Sequence, residues 1–434
     1  MPFMSLACLL VAIAPMSDVL TLAEPGQVTL GGYLGKRVTN NAKGRLLAVK
    51  EDELLDGFRH RPGSHPWIGE HVGKFLDAAT RAWAYTGDTA LKAKIDRVAK
   101  GLMATQEPDG YLGTYESGKR FGLYQGADWD VWSHKYDLLG LLTYYRYTKD
   151  PQALGTCRRI GDLLINTFGP GKKTLISAGT HMGMAATSIL EPIVLLHRAT
   201  GDPRYLDFAR QIVAEYDLAG GPGIVKSLSQ TGKVAGTANG KAYEMLSNLV
   251  GLCELGRETG DKQYQKVAEA AWKDVVATQL YITGTASHGE HFGKDFDLPN
   301  GVNASLGETC VTVTWIQLNA QLLRLTGDRK YADEIERSAY NHLSASQRED
   351  GNQWCYYTPL EGVKPFGDSI NCCLSSGPRG MALMPELAFQ TSPGALWVST
   401  IESGTYRAPG FEVQVSSPFP LVGLTRVSVI ATKP

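Results

Sequence analysis

Four side chains in the second half of the chain are of the types that hold a zinc ion: Glu308, Cys310, Cys372 and Cys373. Three thiolates and one carboxylate make a soft, anionic set, which suits Zn2+ better than magnesium or calcium. Just upstream, His288-Gly289-Glu290 supplies a further carboxylate, Glu290, able to move a proton. The spacing matches no zinc-finger pattern, because the second thiol pair is adjacent rather than Cys-x-x-Cys. Ordinary buried thiols are the competing reading, since free cysteine is among the most buried residue types.

A repeated scaffold is written into the middle of the chain. Five segments end in the same punctuation: Thr86-Gly87-Asp88, Thr148-Lys149-Asp150, Thr200-Gly201-Asp202, Thr259-Gly260-Asp261 and Thr326-Gly327-Asp328, spaced 52 to 67 residues apart. An apolar helical pattern precedes each, and an amphipathic one follows. Glycine after a last helical turn is a C-cap, and Asp just beyond it can cap the next helix. Each unit is therefore helix, tight turn, helix and a longer loop, a size that implies an array of stacked hairpins. With the helix near Trp67 to Ala84 this gives about six hairpins, and the expected fold is mainly α, an (α/α)6 toroid. A linear solenoid of the same hairpins is the alternative.

The long loops at 109–130, 220–240 and 283–306 are where binding residues would concentrate. Tyr111, Tyr115, Tyr124, Trp129 and Trp132 are candidates to stack on sugar faces, or else to fill gaps at the rim. From about Ala388 the pattern turns to alternating and β-branched runs with Pro-Gly turns, which predicts a short β-rich C-terminal segment. The expected divisions are an N-terminal segment at 1–27, the toroid at 28–387 and the strand segment at 388–434.

Composition narrows the function classes. A net charge of −1 over 434 residues leaves no basic field for nucleic acid. No run of 18 or more apolar residues exists, so no membrane span is expected. Seven cysteines are an odd count, read as reduced or metal-bound. The apolar run from Met4 to Pro15 has the length of a signal h-region but lacks a charged n-region, since the first Lys or Arg is Lys36. It leaves a periplasmic or secreted location slightly favoured over a cytoplasmic one.

Several ordered motifs carry a resemblance. Gly289-Glu290-x-Phe292, Asp297-Leu298-Pro299-Asn300, Gly307-Glu308-Thr309-Cys310, Tyr356-x-x-Pro359-Leu360-Glu361 and Cys372-Cys373 resemble the catalytic domain of glycoside hydrolase family 127, the β-L-arabinofuranosidases. Gly31-Gly32-Tyr33-Leu34-Gly35 and Gln106-Glu107-Pro108-Asp109-Gly110-Tyr111-Leu112 extend the likeness upstream, to about residues 28–400. The resemblance implies a retaining glycosidase acting on an oligosaccharide or glycoside, with Zn2+ held by Glu308, Cys310, Cys372 and Cys373. By position, Cys372 matches the nucleophile, Glu290 the acid/base, Tyr356 a substrate-side tyrosine and His134 a sugar-facing histidine. The residues alone do not choose between Cys372 and Cys373. The family continues into β-sandwich domains, so the strand segment reads as the start of a truncated one.

This chain departs from the family pattern in the sugar pocket. Lys241 stands where a substrate-side histidine is expected, and no histidine appears near Glu191. Two extra residues lie between Glu290 and Glu308, and the segment from Tyr356 to Cys372 is shorter. A different furanoside, or a pyranoside, is compatible with these changes. Two other functions share the scaffold. One is a carbohydrate-binding toroid with a structural zinc and no turnover. The other is an isomerase or lyase using a pair among His134, His181 and His288.

Overall fold

The computed structural model describes residues 14–431. The apolar run read as a signal-like segment at residues 4–15 lies outside them except for its last two positions.

All five repeated turns take the same form. The Thr hydroxyl donates to the carbonyl four residues back and accepts the amide of the following Asp. The middle residue is left-handed, with φ of 60° to 73° at Gly87, Lys149, Gly201, Gly260 and Gly327. The Asp side chain then accepts an amide of the next helix's first turn: Leu91, Gln152, Arg204, Gln263 and Lys330. Three residues thus stop one helix, reverse the chain and start the next.

The hairpins close into a ring. Chain order gives α1 (Tyr33–Asn41), α2 (Glu51–Arg59), α3 (Glu70–Thr86), α4 (Thr89–Met103), α5 (Asp130–Thr148), α6 (Pro151–Thr167), α7 (Leu190–Thr200) and α8 (Pro203–Glu215). Then follow α9 (Ala242–Thr259), α10 (Lys262–Asp274), α11 (Thr309–Thr326), α12 (Arg329–Arg337) and α13 (Cys372–Ala388). Helices α3, α5, α7, α9, α11 and α13 each pack on the next, and α13 packs back on α3. Most of these inner helices are buried nearly all round, whereas the outer ones bury a single face. The architecture is an (α/α)6 toroid. Its sixth pair is not a hairpin: α1, from the start of the chain, lies beside α13, from the end.

The two ends of the chain are also stitched together as strands. β1 (Thr21–Leu22) pairs with β3 (Phe389–Ser392), which pairs with β4 (Ala395–Val398). β2 (Val28–Leu30) pairs with β5 (Gly404–Ala408), followed by β6 (Phe411–Ser416) and β7 (Arg426–Ala431), all antiparallel. Ahead of β1, the amide of Met16 reaches the carbonyl of Arg257, and those of Val19 and Leu20 the carbonyl of Arg324. Asp18 pairs at 2.6 Å with both Arg257 and Arg324. These contacts satisfy carbonyls at the C-terminal ends of α9 and α11. The division expected at residue 27 is therefore no structural boundary, because residues 16–30 are built into the toroid. Among the described residues no helix is long and apolar enough to cross a membrane.

Three aromatics proposed for the rim are in the core instead. Tyr111, Tyr115 and Trp132 are fully buried, Tyr111 with its hydroxyl on Asp130 and Tyr115 with its hydroxyl on the Trp129 amide. Only Tyr124 and Trp129 of that set keep partial exposure.

Lys149 is the one turn residue with a side chain in the left-handed region, a placement that glycine tolerates better. Lys149→Gly is expected to stabilise the protein by about 0.5–1 kcal/mol, and Asp202→Ala to destabilise it by about 1 kcal/mol. Urea unfolding midpoints measure both; a Lys149→Gly midpoint below wild type contradicts the repeat analysis.

Candidate active site

Two inner helices bring the four expected ligand residues together. Cys372 and Cys373 open α13, whose first turn is capped by Asn371 accepting the Leu374 amide at 3.0 Å. Glu308 immediately precedes α11, and Cys310 is its second residue. The positive ends of two helices thus face the sulfurs and the carboxylate, an arrangement that favours thiolates. One ligand atom from each residue lies within 4.8 Å of all the others. Cys373 Sγ is 3.4 Å from Cys310 Sγ, 3.9 Å from Cys372 Sγ and 3.7 Å from Glu308 Oε1.

The electrostatics single out one sulfur. Hydrogen bonds from the Cys310 and Cys373 thiols hold the Cys372 thiol well below its ordinary range. Burial pushes those two neighbours well above theirs. Glu308 is also pushed well up, by burial first and then by the charges of Cys372 and Glu290, and its Oε2 is sealed with no partner. The cluster thus packs three thiols and a carboxylate closely together.

A cation absent from the sequence reading stands behind it. Lys74 is fully buried on α3, 3.1 Å from Glu70 and 3.3 Å from the Cys372 carbonyl, over the rings of Tyr136 and Tyr243. Burial alone would lower its pKa; Glu70 and then Cys310 outweigh that and keep it charged. A lysine among the otherwise apolar positions of an inner helix, four residues after a glutamate, was the available signal.

Glu290 sits in a tight turn at φ 70°, between His288 and His291, whose backbones pair with each other. Its carbonyl accepts the Ala242 amide, which ties the turn to the start of α9. One carboxylate oxygen accepts from the hydroxyls of Tyr356 and Tyr357, and the other from Lys241 Nζ. Burial pushes this carboxyl up, but the Lys241 hydrogen bond and charge outweigh it and hold it below its ordinary range. Tyr356 also lies close enough to Cys372 for the two to shift each other's proton affinity. Glu290, held by Tyr356, therefore sits beside the cysteine cluster.

The remaining expected residues divide. Lys241 is nearly buried and committed to Glu290 rather than open to a ligand. His134 is wholly buried; its Nδ1 bonds the Asp130 carbonyl at 2.8 Å and its Nε2 accepts the Leu112 amide at 3.3 Å. Neither nitrogen is free for a sugar, so the sugar-facing placement of His134 is corrected to a packing role. Helix periodicity cannot distinguish these two orientations without the loop that covers it.

The fold and the site together define a toroid of six helix pairs with a thiol–carboxylate centre at the N-terminal ends of its inner helices. The chain belongs to the family described as Beta-L-arabinofuranosidase, GH127 catalytic domain, whose profile matches residues 36–386. It is 28% identical over 322 residues to the non-reducing end beta-L-arabinofuranosidase of Bifidobacterium longum subsp. longum, covering 67% of this chain. The chain spans about half the length of that relative, 48%. Among solved structures it resembles a GH127 beta-arabinofuranosidase, with a TM-score of 0.79 and 21% identity, over 95% of this chain and 70% of the other. A GH127 beta-L-arabinofuranosidase from Geobacillus stearothermophilus T6 gives a TM-score of 0.76 and 21% identity, over 93% and 72%. These structures share the fold.

Removing Lys74 leaves Glu70 buried without its cation. Lys74→Met is expected to cost about 3–5 kcal/mol, with Glu70→Gln in the same protein recovering part of the loss. Denaturant unfolding of both variants checks this, and an unchanged Lys74→Met midpoint contradicts it.

Proposed function

We propose that this chain carries a retaining glycosidase site for β-L-arabinofuranosides, with Cys372 as nucleophile and Glu290 as acid/base. The observation that carries the reading is the Glu290 carboxylate, held by the Tyr356 and Tyr357 hydroxyls beside the four-residue thiol–carboxylate cluster and near enough to feel the Cys372 charge. A purely structural metal centre would give Glu290 no reason to be held there.

The donor set fits zinc. A tetrahedral ion with bonds of about 2.3 Å to sulfur and about 2.0 Å to oxygen separates two sulfurs by roughly 3.8 Å and sulfur from oxygen by roughly 3.5 Å. The observed 3.4 and 3.9 Å between sulfurs bracket the first value, and the 3.7 Å from sulfur to oxygen lies slightly above the second. The unpartnered Glu308 Oε2 is a further position that wants a cation. Zinc, when bound, keeps the thiols deprotonated and the four groups together at neutral pH.

The chain's own residues divide the reaction between them. The Cys372 thiolate attacks the anomeric carbon and a carbon–sulfur bond forms. The glycosidic carbon–oxygen bond breaks as Glu290 gives its proton to the leaving oxygen. Water then gives a proton to Glu290 and its oxygen attacks the same carbon, which releases the Cys372 sulfur. Two inversions retain the configuration, with a thiolate in the place of the second carboxylate of ordinary retaining enzymes. Tyr356 and Tyr357 orient Glu290, and Lys241 sets its resting charge.

Three outcomes are expected. Elemental analysis should find one zinc per chain, and Cys310→Ser should lower both zinc content and stability; zinc-free protein from metal-replete expression would overturn the metal assignment. Glu290→Gln should slow glycosides with poor leaving groups by about 10²–10⁴-fold and aryl glycosides much less. In Lys241→Met the Glu290 carboxyl loses the charge that depresses its pKa. The basic limb of the kcat/KM profile, where a required acid loses its proton, should then move to higher pH. A Glu290→Gln enzyme as active as wild type on a natural-type glycoside removes the assignment.

A further inference from the structure

We propose that His65, Trp67, Trp129 and His181 form the leaving-group subsite of this pocket, built for a second, uncharged sugar ring. The proposal rests on the glycosidase reading and adds the part of the substrate beyond the scissile bond.

The four rings form one arc. Ring centroids lie 4.6 Å apart from His65 to Trp67, 6.2 Å from Trp67 to Trp129 and 5.6 Å from Trp129 to His181. A further 6.5 Å leads from His181 to His291, the residue after Glu290. At its other end His65 lies against His71, 5.9 Å between rings, and His71 Nδ1 is 3.3 Å from Ser375 in the first turn of α13. The arc therefore begins beside the Cys372 helix and ends beside Glu290. It follows the toroid rim, since His65 and Trp67 precede α3, Trp129 precedes α5 and His181 precedes α7.

The chemistry of the arc selects its ligand. Trp67 is 38% exposed, whereas Trp132, Trp315 and Trp354 are fully buried. An aromatic face left open beside a reactive pair offers stacking area at little conformational cost. His65 Nδ1, on the ring that stacks against Trp67, is buried with no partner. The arc itself contains no carboxylate, lysine or arginine. Burial lowers the pKa of both histidines, that of His181 to about 4, so the surface is neutral at pH 7. Flat apolar faces with neutral polar edges match the C–H faces and hydroxyls of a sugar, and do not match an anionic or a short alkyl leaving group.

The test compares a β-L-arabinofuranosyl disaccharide with the methyl β-L-arabinofuranoside on zinc-loaded full-length protein. The ratio of their kcat/KM values is expected to fall on the order of tenfold in Trp67→Ala and in Trp129→Ala. Trp67→Phe should restore most of it. Tryptophan quenching by the disaccharide, read on the same proteins, is expected in wild type and lost in Trp67→Ala. Turnover with an unchanged ratio in both alanine variants overturns the subsite and leaves the glycosidase standing. Quenching without turnover of either compound removes the glycosidase and leaves a sugar site on the arc. Absence of both turnover and quenching overturns the two together.

Discussion

The structure turns on one electrostatic problem: three sulfurs and a carboxylate are packed together inside a helical ring. Burying uncompensated anions is prohibitive, so such a cluster exists only where positive charge is built around it. The N-terminal ends of α11 and α13, where Cys310, Cys372 and Cys373 stand, supply part of that charge. Lys74 supplies more from α3, and Lys241 supplies it on the Glu290 side. Glu308 Oε2 stays buried with no partner. The toroid is what makes this economical, because inner helices that run the same way direct their N-termini to one mouth.

The opposite end of the ring carries the reverse charge and an answering solution. There the inner helices end, and their carbonyl termini meet arginines: Arg81, Arg146, Arg198, Arg257 and Arg324. Glu254 and Glu386 pair with these arginines from within the helices, and Asp18 and Glu24 come from the N-terminal segment. A cavity of about 490 Å³ remains among these pairs, far along the inner helices from the thiols. Its charges are mostly spent on one another, whereas at the thiol end the charges are left to act on a ligand. Polarity thus separates a stabilising end from a chemical one within a single fold.

How much of this was legible follows from where the information is stored. The five turns were readable because Thr, Gly or Lys, and Asp encode helix stop, reversal and start within three residues. Ring closure was not, because the sixth pair joins α1 to α13 and the strands join Val28 to Tyr406, contacts no local pattern records. The four residues of the thiol–carboxylate cluster were readable from side-chain type. Lys74 was passed over because it looks like a surface residue until the ring buries it. Tyr111, Trp132 and His134 were placed at the sugar because aromatic and imidazole groups suit either environment; the loop folded over them decides, and it seals His134 with the amide of Leu112. Lys241 pairs with Glu290 rather than facing a ligand; a lysine beside a sugar pocket and a lysine on a buried carboxylate have the same sequence signature.

That partner bears on how one carboxylate can serve as acid and then as base. In the resting site Lys241 and Tyr356 lower the proton affinity of Glu290, and the Cys372 charge raises it. In the proposed reaction this opposing charge changes between steps. Before attack, Cys372 is a thiolate and its repulsion raises the affinity of Glu290 for the proton that the leaving oxygen needs. Once the carbon–sulfur bond has formed, the sulfur is neutral and that repulsion is gone. Lys241 then dominates, and Glu290 is ionised when water must be deprotonated. A nucleophile whose charge appears and disappears beside a fixed cation thereby shifts its partner in the direction each step requires. The arrangement needs the cation to be permanent and the anion to be close, which Lys241 and the nearness of Cys372 to Glu290 provide.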